Sequence, residues 1–229
     1  MDTNAEPKRR RLGDAILVLG DGDLTFSRAL ARHDASLRIY ATEIGTAPDL
    51  STRYFNGSAP QTEARLAELR ALSVRVALGI DGTKLDVEGV GAPEWLRPHS
   101  KRFDRVVFNF PHSYRHGGTA KVVKACFASV QRSGVLDPRG RFEMRMRSLS
   151  PKEDARYGYA YESARRRGWR LEAVLPCALL AALAERGYAH TQTKRSTSAL
   201  DAHDCRPLLW RWRLDERIAA AGVDASAAA

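Results

Sequence analysis

Cysteine is scarce in this chain: Cys126, Cys177 and Cys205 are its three, odd in number and far apart. No C-x-x-C pair occurs, so the sequence carries neither a disulfide framework nor a zinc-site signature, and no metal is expected. Cys126 and Cys177 lie among apolar neighbours and read as small core residues rather than nucleophiles. A run of about eighteen apolar residues is also missing, which argues against a helical membrane span. The first residues lack an apolar signal core, and an intracellular protein is the resulting expectation. It would be cytoplasmic if bacterial and nucleolar or nuclear if eukaryotic.

Positive charge, by contrast, is abundant. Lys and Arg number 37 against 27 Asp and Glu, a formal net charge of +10. Such an excess favours polyanionic partners through long-range attraction and counterion release. The 229 residues suit one α/β domain with a well-buried core. Residues 1–14 read as a disordered basic tail, 15–218 as the folded domain, and the Ala-rich 219–229 as a flexible end.

Between the tails, apolar runs of strand length alternate with helical patterns. Strands are predicted at 15–20, 37–42, 74–80, 104–110, 140–146, 170–176 and 207–214. Helices are predicted at 23–33, 59–72, 118–133, 152–167 and 177–187, three of them followed by glycine at 134, 168 and 187. Alternation of this kind argues for βαβ units and a mainly parallel sheet. The last strand follows a polar loop and alternates large apolar with basic residues, as a half-exposed antiparallel edge strand would. The expected fold is α/β: a class I methyltransferase Rossmann-like fold with a seven-stranded, mostly parallel sheet, one antiparallel strand, and helices on both faces.

In such sheets ligands bind beyond the carboxyl ends of the strands. Gly20 and Gly22 in Leu19-Gly20-Asp21-Gly22-Asp23 let the first turn approach a ligand closely. Asp21 and Asp23 suit a sulfonium and an ammonium group better than a pyrophosphate, which needs bare amides and a positive helix end. S-adenosyl-L-methionine is therefore the expected cofactor. Glu43, closing the second strand, is placed to accept from ribose hydroxyls, and Asp81 follows the third strand where adenine would lie. After the fourth strand come Asn109, Phe110, Pro111 and His112. An Asn amide beside a stiff proline can present carbonyl acceptors to an N–H group, and His112 is a candidate general base.

The paired motifs Gly20-Asp21-Gly22-Asp23-Leu24-Thr25-Phe26-Ser27 and Asn109-Phe110-Pro111-His112 resemble the ribosomal-RNA uridine-N3 methyltransferase-like family of fungal nucleoli. Asp81-Gly82-Thr83-Lys84-Leu85 and Tyr188-Ala189-His190-Thr191-Gln192-Thr193 are similar to two further elements of that family. The resemblance implies methylation of uridine N3 in ribosomal RNA. Gly20, Asp21, Gly22, Asp23, Glu43, Asp81 and Asn109 would hold the cofactor, and Asn109, Pro111 and His112 would face the target base. Phe110, His190, Thr193, Arg145 and Arg147 would border the substrate, the two arginines meeting phosphates. The segment Arg145-Met146-Arg147-Ser148 departs from the family, which carries a Pro-aromatic feature there. Two other readings compete: a methyltransferase acting on a small nitrogen heterocycle, and a non-catalytic nucleic-acid-binding module.

Overall fold

The computed structural model describes residues 14–85, 93–96, 102–111, 118–147, 151–188 and 207–215. Seven strands form one sheet: β1 (Ala15–Leu19), β2 (Arg38–Glu43), β3 (Arg75–Leu78), β4 (Phe103–Asn109), β5 (Leu136–Arg147), β6 (Trp169–Pro176) and β7 (Pro207–Leu214). Their spatial order is β3-β2-β1-β4-β5-β7-β6. Every neighbouring pair is parallel except those made by β7, which runs against both β5 and β6. β1 is buried at all five of its residues, as a central parallel strand covered on both faces must be.

The helices divide between the two faces. α1 (Thr25–His33), α2 (Ala47–Tyr54), α3 (Ala59–Ala71) and α6 (Ala178–Ala184) close one core with Ile16, Val18, Ile39, Ala41 and Val107. α4 (Gly118–Ser133) and α5 (Pro151–Arg165) close the other. α4 sends Val123, Cys126, Phe127 and Val130 inward at helical spacing. Phe127 meets Phe142, Trp169 and Trp212 with ring centroids 5.0, 5.4 and 5.1 Å apart, mostly edge-on. Arrangements of this kind stabilise by roughly 0.5–1.5 kcal/mol per pair beyond area burial. Burial pushes the Cys126 thiol well above its ordinary range, so it stays protonated and inert.

The predicted reversed strand is present, but its expected place at the rim is corrected: β7 lies inside the sheet, and β6 is the edge. The alternation that reads as half exposure has another cause. Trp210 and Trp212 pack on the α5 side. Arg211 and Arg213 point to the other face, where Glu143 and Glu172 pair with them at 3.5 and 2.8 Å.

Helix α2 was not among the predicted elements. Its signal is a capping box, in which Thr46 accepts from the Asp49 N–H while Asp49 accepts from the Thr46 N–H, with Pro48 in the first turn.

A candidate cofactor and acceptor site at the carboxyl edge

The strand register brings the predicted residues to one edge. Leu19 pairs with Phe108, Glu43 with Leu78, and Asn109 with Arg145, so Gly20, Glu43 and Asn109 all leave the sheet at the same level. Asp81 stands at that edge too, where Gly82 packs against Leu19 and the Ile80 N–H donates to the Glu43 carbonyl.

The first turn is built on left-handed backbone. Gly20, Gly22 and Leu24 have φ of 58, 64 and 64°. A Cβ on Gly20 would stand 3.1 Å from the Phe108 ring, and one on Gly22 would stand 3.1 Å from the Tyr54 hydroxyl. The turn is thus a close-walled cradle that larger residues would fill. Its outer side is held by Glu43, which is buried and accepts from the Gly22 N–H at 2.8 Å and the Gly45 N–H at 3.4 Å. Burial raises the Glu43 carboxyl above its usual range.

The two acids of the turn close the N-terminus of α1. Asp23 Oδ1 accepts from the Thr25 N–H and hydroxyl at 3.1 and 2.6 Å, and Asp21 Oδ2 accepts from the Ser27 N–H at 3.0 Å. A helix end that would otherwise receive a phosphate is therefore filled by the protein's own carboxylates. Asp21 is buried, and its Oδ1 has no hydrogen-bond partner among the described residues. Desolvation, aided by Asp23 and Glu43 nearby, pushes its pKa from 3.8 up to about 8. A buried, partner-starved acid beside a glycine cradle fits a cationic ligand and opposes a pyrophosphate.

On the acceptor side, Asn109 ends β4 and Phe110 turns the chain at φ 45°, its N–H donating to the Arg145 carbonyl at 2.8 Å. Asn109 Oδ1 accepts from Arg145 Nη1 at 2.9 Å, and Asn109 Nδ2 is buried with no partner among the described residues. The Asn109 oxygen thus already accepts one hydrogen bond, and its amide nitrogen is the group left without a partner among the described residues. Arg145 is corrected as a phosphate contact. It is 1% exposed, 4.9 Å from the Phe26 ring centroid, and 3.8 Å from Glu143, itself buried. Pro111 is buried after Phe110. His112, His190, Thr193 and the Arg147 side chain lie outside the described residues.

Two residues that the sequence reading passed over belong to this edge. Tyr188, which opens the Tyr188-to-Thr193 motif, is buried edge-on against Phe26 with centroids 5.7 Å apart. Burial and the nearby Asp21 raise its hydroxyl well above its ordinary range. Ile44, directly after Glu43, is 54% exposed and leaves an aliphatic surface at the end of β2. A large apolar residue after the acid of the second strand was the signal available for it. Among the described residues, no group of three or more His, Cys, Asp and Glu could hold a metal ion, and no helix is long and apolar enough to cross a membrane.

The chain shares its fold with the 16S rRNA methyltransferase KamB, at 13% identity and a TM-score of 0.51, covering 90% of each chain. Precorrin-6y C5,15-methyltransferase from Geobacter metallireducens is also similar, at 15% identity and a TM-score of 0.44 over 89% of this chain and 82% of that one. In sequence, 102 residues are 33% identical to heavy metal-associated isoprenylated plant protein 41 of Arabidopsis thaliana, covering 44% of this chain and 18% of that protein. The chain thus spans under a fifth of that relative's length. A family model described as rRNA (uridine-N3-)-methyltransferase BTM5-like matches residues 17–175, and the chain belongs to this BMT5-like family.

Proposed function

We propose that this protein methylates N3 of uridine in ribosomal RNA, with S-adenosyl-L-methionine held at the carboxyl edge of β1, β2 and β4. The observation that carries the cofactor assignment is the closed α1 terminus with its unpartnered Asp21 oxygen. Bound S-adenosylmethionine supplies an electrophilic methyl group on a cationic sulfur. Asp21 and Asp23 supply the negative charge that holds a cationic ligand, the backbone of Gly20 and Gly22 gives close approach, and Glu43 accepts from ribose hydroxyls. Asp81 and Ile44 flank the base. The family description supports ribosomal RNA as acceptor, and the +10 charge supports a polyanionic one.

At the acceptor side Asn109, Phe110 and Pro111 orient the base, and His112 takes the proton from N3. His190 and Thr193 border the base, and Arg147 meets phosphates. Positioning of a ring nitrogen in line with the methyl carbon, in a cleft that excludes water, supplies most of the acceleration.

Incubation of the purified protein with methyl-labelled S-adenosylmethionine and large-subunit ribosomal RNA, followed by nucleoside mass spectrometry, tests the proposal. Labelled N3-methyluridine is the expected product. Label appearing only in a small heterocycle, or on another nucleoside, would overturn the RNA uridine assignment.

A further inference from the structure

Arg145 and Asn109 are register partners across β4 and β5, and their contact has a direction fixed by chemistry. A guanidinium carries only donors, so the Asn109 atom 2.9 Å from Arg145 Nη1 must be the oxygen. The usual ambiguity of an amide's two ends does not arise here. The Nδ2 group then points away from Arg145, and it is buried without an acceptor among the described residues. A buried donor left unmet is costly, and a bound acceptor atom would recover that cost.

Arg145 is itself enclosed. Glu143, 2% exposed, stands 3.8 Å from its Nη2 and is shared with Arg105 at 3.9 Å and Arg211 at 3.5 Å. The guanidinium carbon lies 4.9 Å from the Phe26 ring centroid, and the Arg145 carbonyl takes the Phe110 N–H. Side chain and backbone of one buried residue therefore hold both Asn109 and the turn that follows it.

We propose that Arg145 is a positioning residue that fixes Asn109 as a hydrogen-bond donor toward the acceptor. It thereby restricts the acceptor to a ring nitrogen flanked by a carbonyl oxygen. This rests on the methyl-transfer reading of the same edge. An imide nitrogen gives its proton to the proposed base, His112, and the negative charge spreads onto the adjacent oxygen. The nitrogen lone pair then forms the N–CH3 bond while the electrons of the broken sulfur–carbon bond stay on sulfur. The Asn109 donor holds that oxygen most strongly in the deprotonated form, lowering the nitrogen's pKa where the reaction needs it. An exocyclic amine would bring its own N–H groups against the Asn109 donor and be rejected.

Arg145→Met keeps the bulk, and Glu143 retains Arg105 and Arg211. On large-subunit ribosomal RNA, its kcat falls about 100-fold, the scale of one lost transition-state donor. Its KM for RNA and its Kd for S-adenosylhomocysteine change less than about twofold, and the rising limb of its pH–rate profile moves about one unit up. Asn109→Asp, which replaces the donor by an acceptor, loses activity likewise, and Arg145→Lys restores part of it. An unmoved pH limb in Arg145→Met, or full activity of Asn109→Asp, overturns the inference while uridine methylation stands. Label on an exocyclic amine overturns both, leaving the enzyme a methyltransferase. If no RNA is labelled, the proposed function fails alone. The orientation is then read by NMR of the S-adenosylhomocysteine-loaded protein: scalar coupling between the Arg145 guanidinium and the Asn109 side-chain carbonyl supports it, and its absence overturns it.

Discussion

Replacing Asp21 by Asn separates the binding role of this acid from its burden on the fold. The folded carboxyl keeps its proton up to about pH 8, whereas the unfolded one loses it near 3.8. Across that window the folded state binds more protons, so stability falls as pH rises, by about 1.4 kcal/mol per unit. At neutral pH, about three units into the window, the deficit reaches about 4 kcal/mol. Asn at position 21 can still accept from the Ser27 N–H that Asp21 holds at 3.0 Å, and it mimics the protonated acid. The variant is therefore more stable than the wild type at neutral pH by up to about 4 kcal/mol, and the two converge in acid. Urea denaturation of both proteins across the pH series reads the difference, and Glu43, also raised by burial, cancels in the subtraction. The same variant loses cofactor affinity, because the charge that meets the cation is gone. A wild type whose stability does not fall relative to Asp21→Asn between about pH 5 and pH 8 would refute the account of Asp21 as a buried, desolvated acid.

Three other perturbations test separate parts of the edge. Gly20→Ala places a Cβ 3.1 Å from the Phe108 ring at φ +58°, and it is expected to lower stability by about 1–2 kcal/mol and weaken cofactor binding, read by thermal unfolding and calorimetry. Glu43→Gln keeps an acceptor for the Gly22 N–H but loses the charge offered to ribose; the expected outcome is about tenfold weaker S-adenosylhomocysteine binding, with a fold unchanged by circular dichroism. Glu143→Leu strands Arg105, Arg145 and Arg211 around an apolar side chain, and a destabilisation of about 3–5 kcal/mol in denaturant titration is expected.

The fold was legible because the strands are bounded runs, apolar or alternating, between helical patterns, and three of the predicted helices end at glycine. β1, all apolar and followed by glycine, could be read as a central strand from its composition alone. β7 was misplaced within the sheet because period-two alternation looks the same at a rim and in an interior strand whose outer face is neutralised by ion pairs. The glutamates that pair with Arg211 and Arg213 are Glu143 and Glu172, set by strand pairing rather than by neighbours in the chain. For the site, the turn Gly20 to Asp23 and the end of β4 were visible as motifs. The role of Asn109 was not, since its orientation is imposed by Arg145, 36 residues away. Arg145 itself read as a surface cation, because a charged residue in a strand is far more often exposed than enclosed by Glu143 and Phe26.

Calorimetric titration of the purified protein near neutral pH, in buffers of different ionisation enthalpy, tests the central claim most directly. Asp21 keeps its proton in the free protein up to about pH 8 and must release it to meet a cation. S-adenosylmethionine is therefore expected to bind with release of close to one proton in the wild type and none in Asp21→Asn. Binding of a nicotinamide or flavin dinucleotide in place of S-adenosylmethionine, or S-adenosylmethionine binding with no proton released, would contradict it.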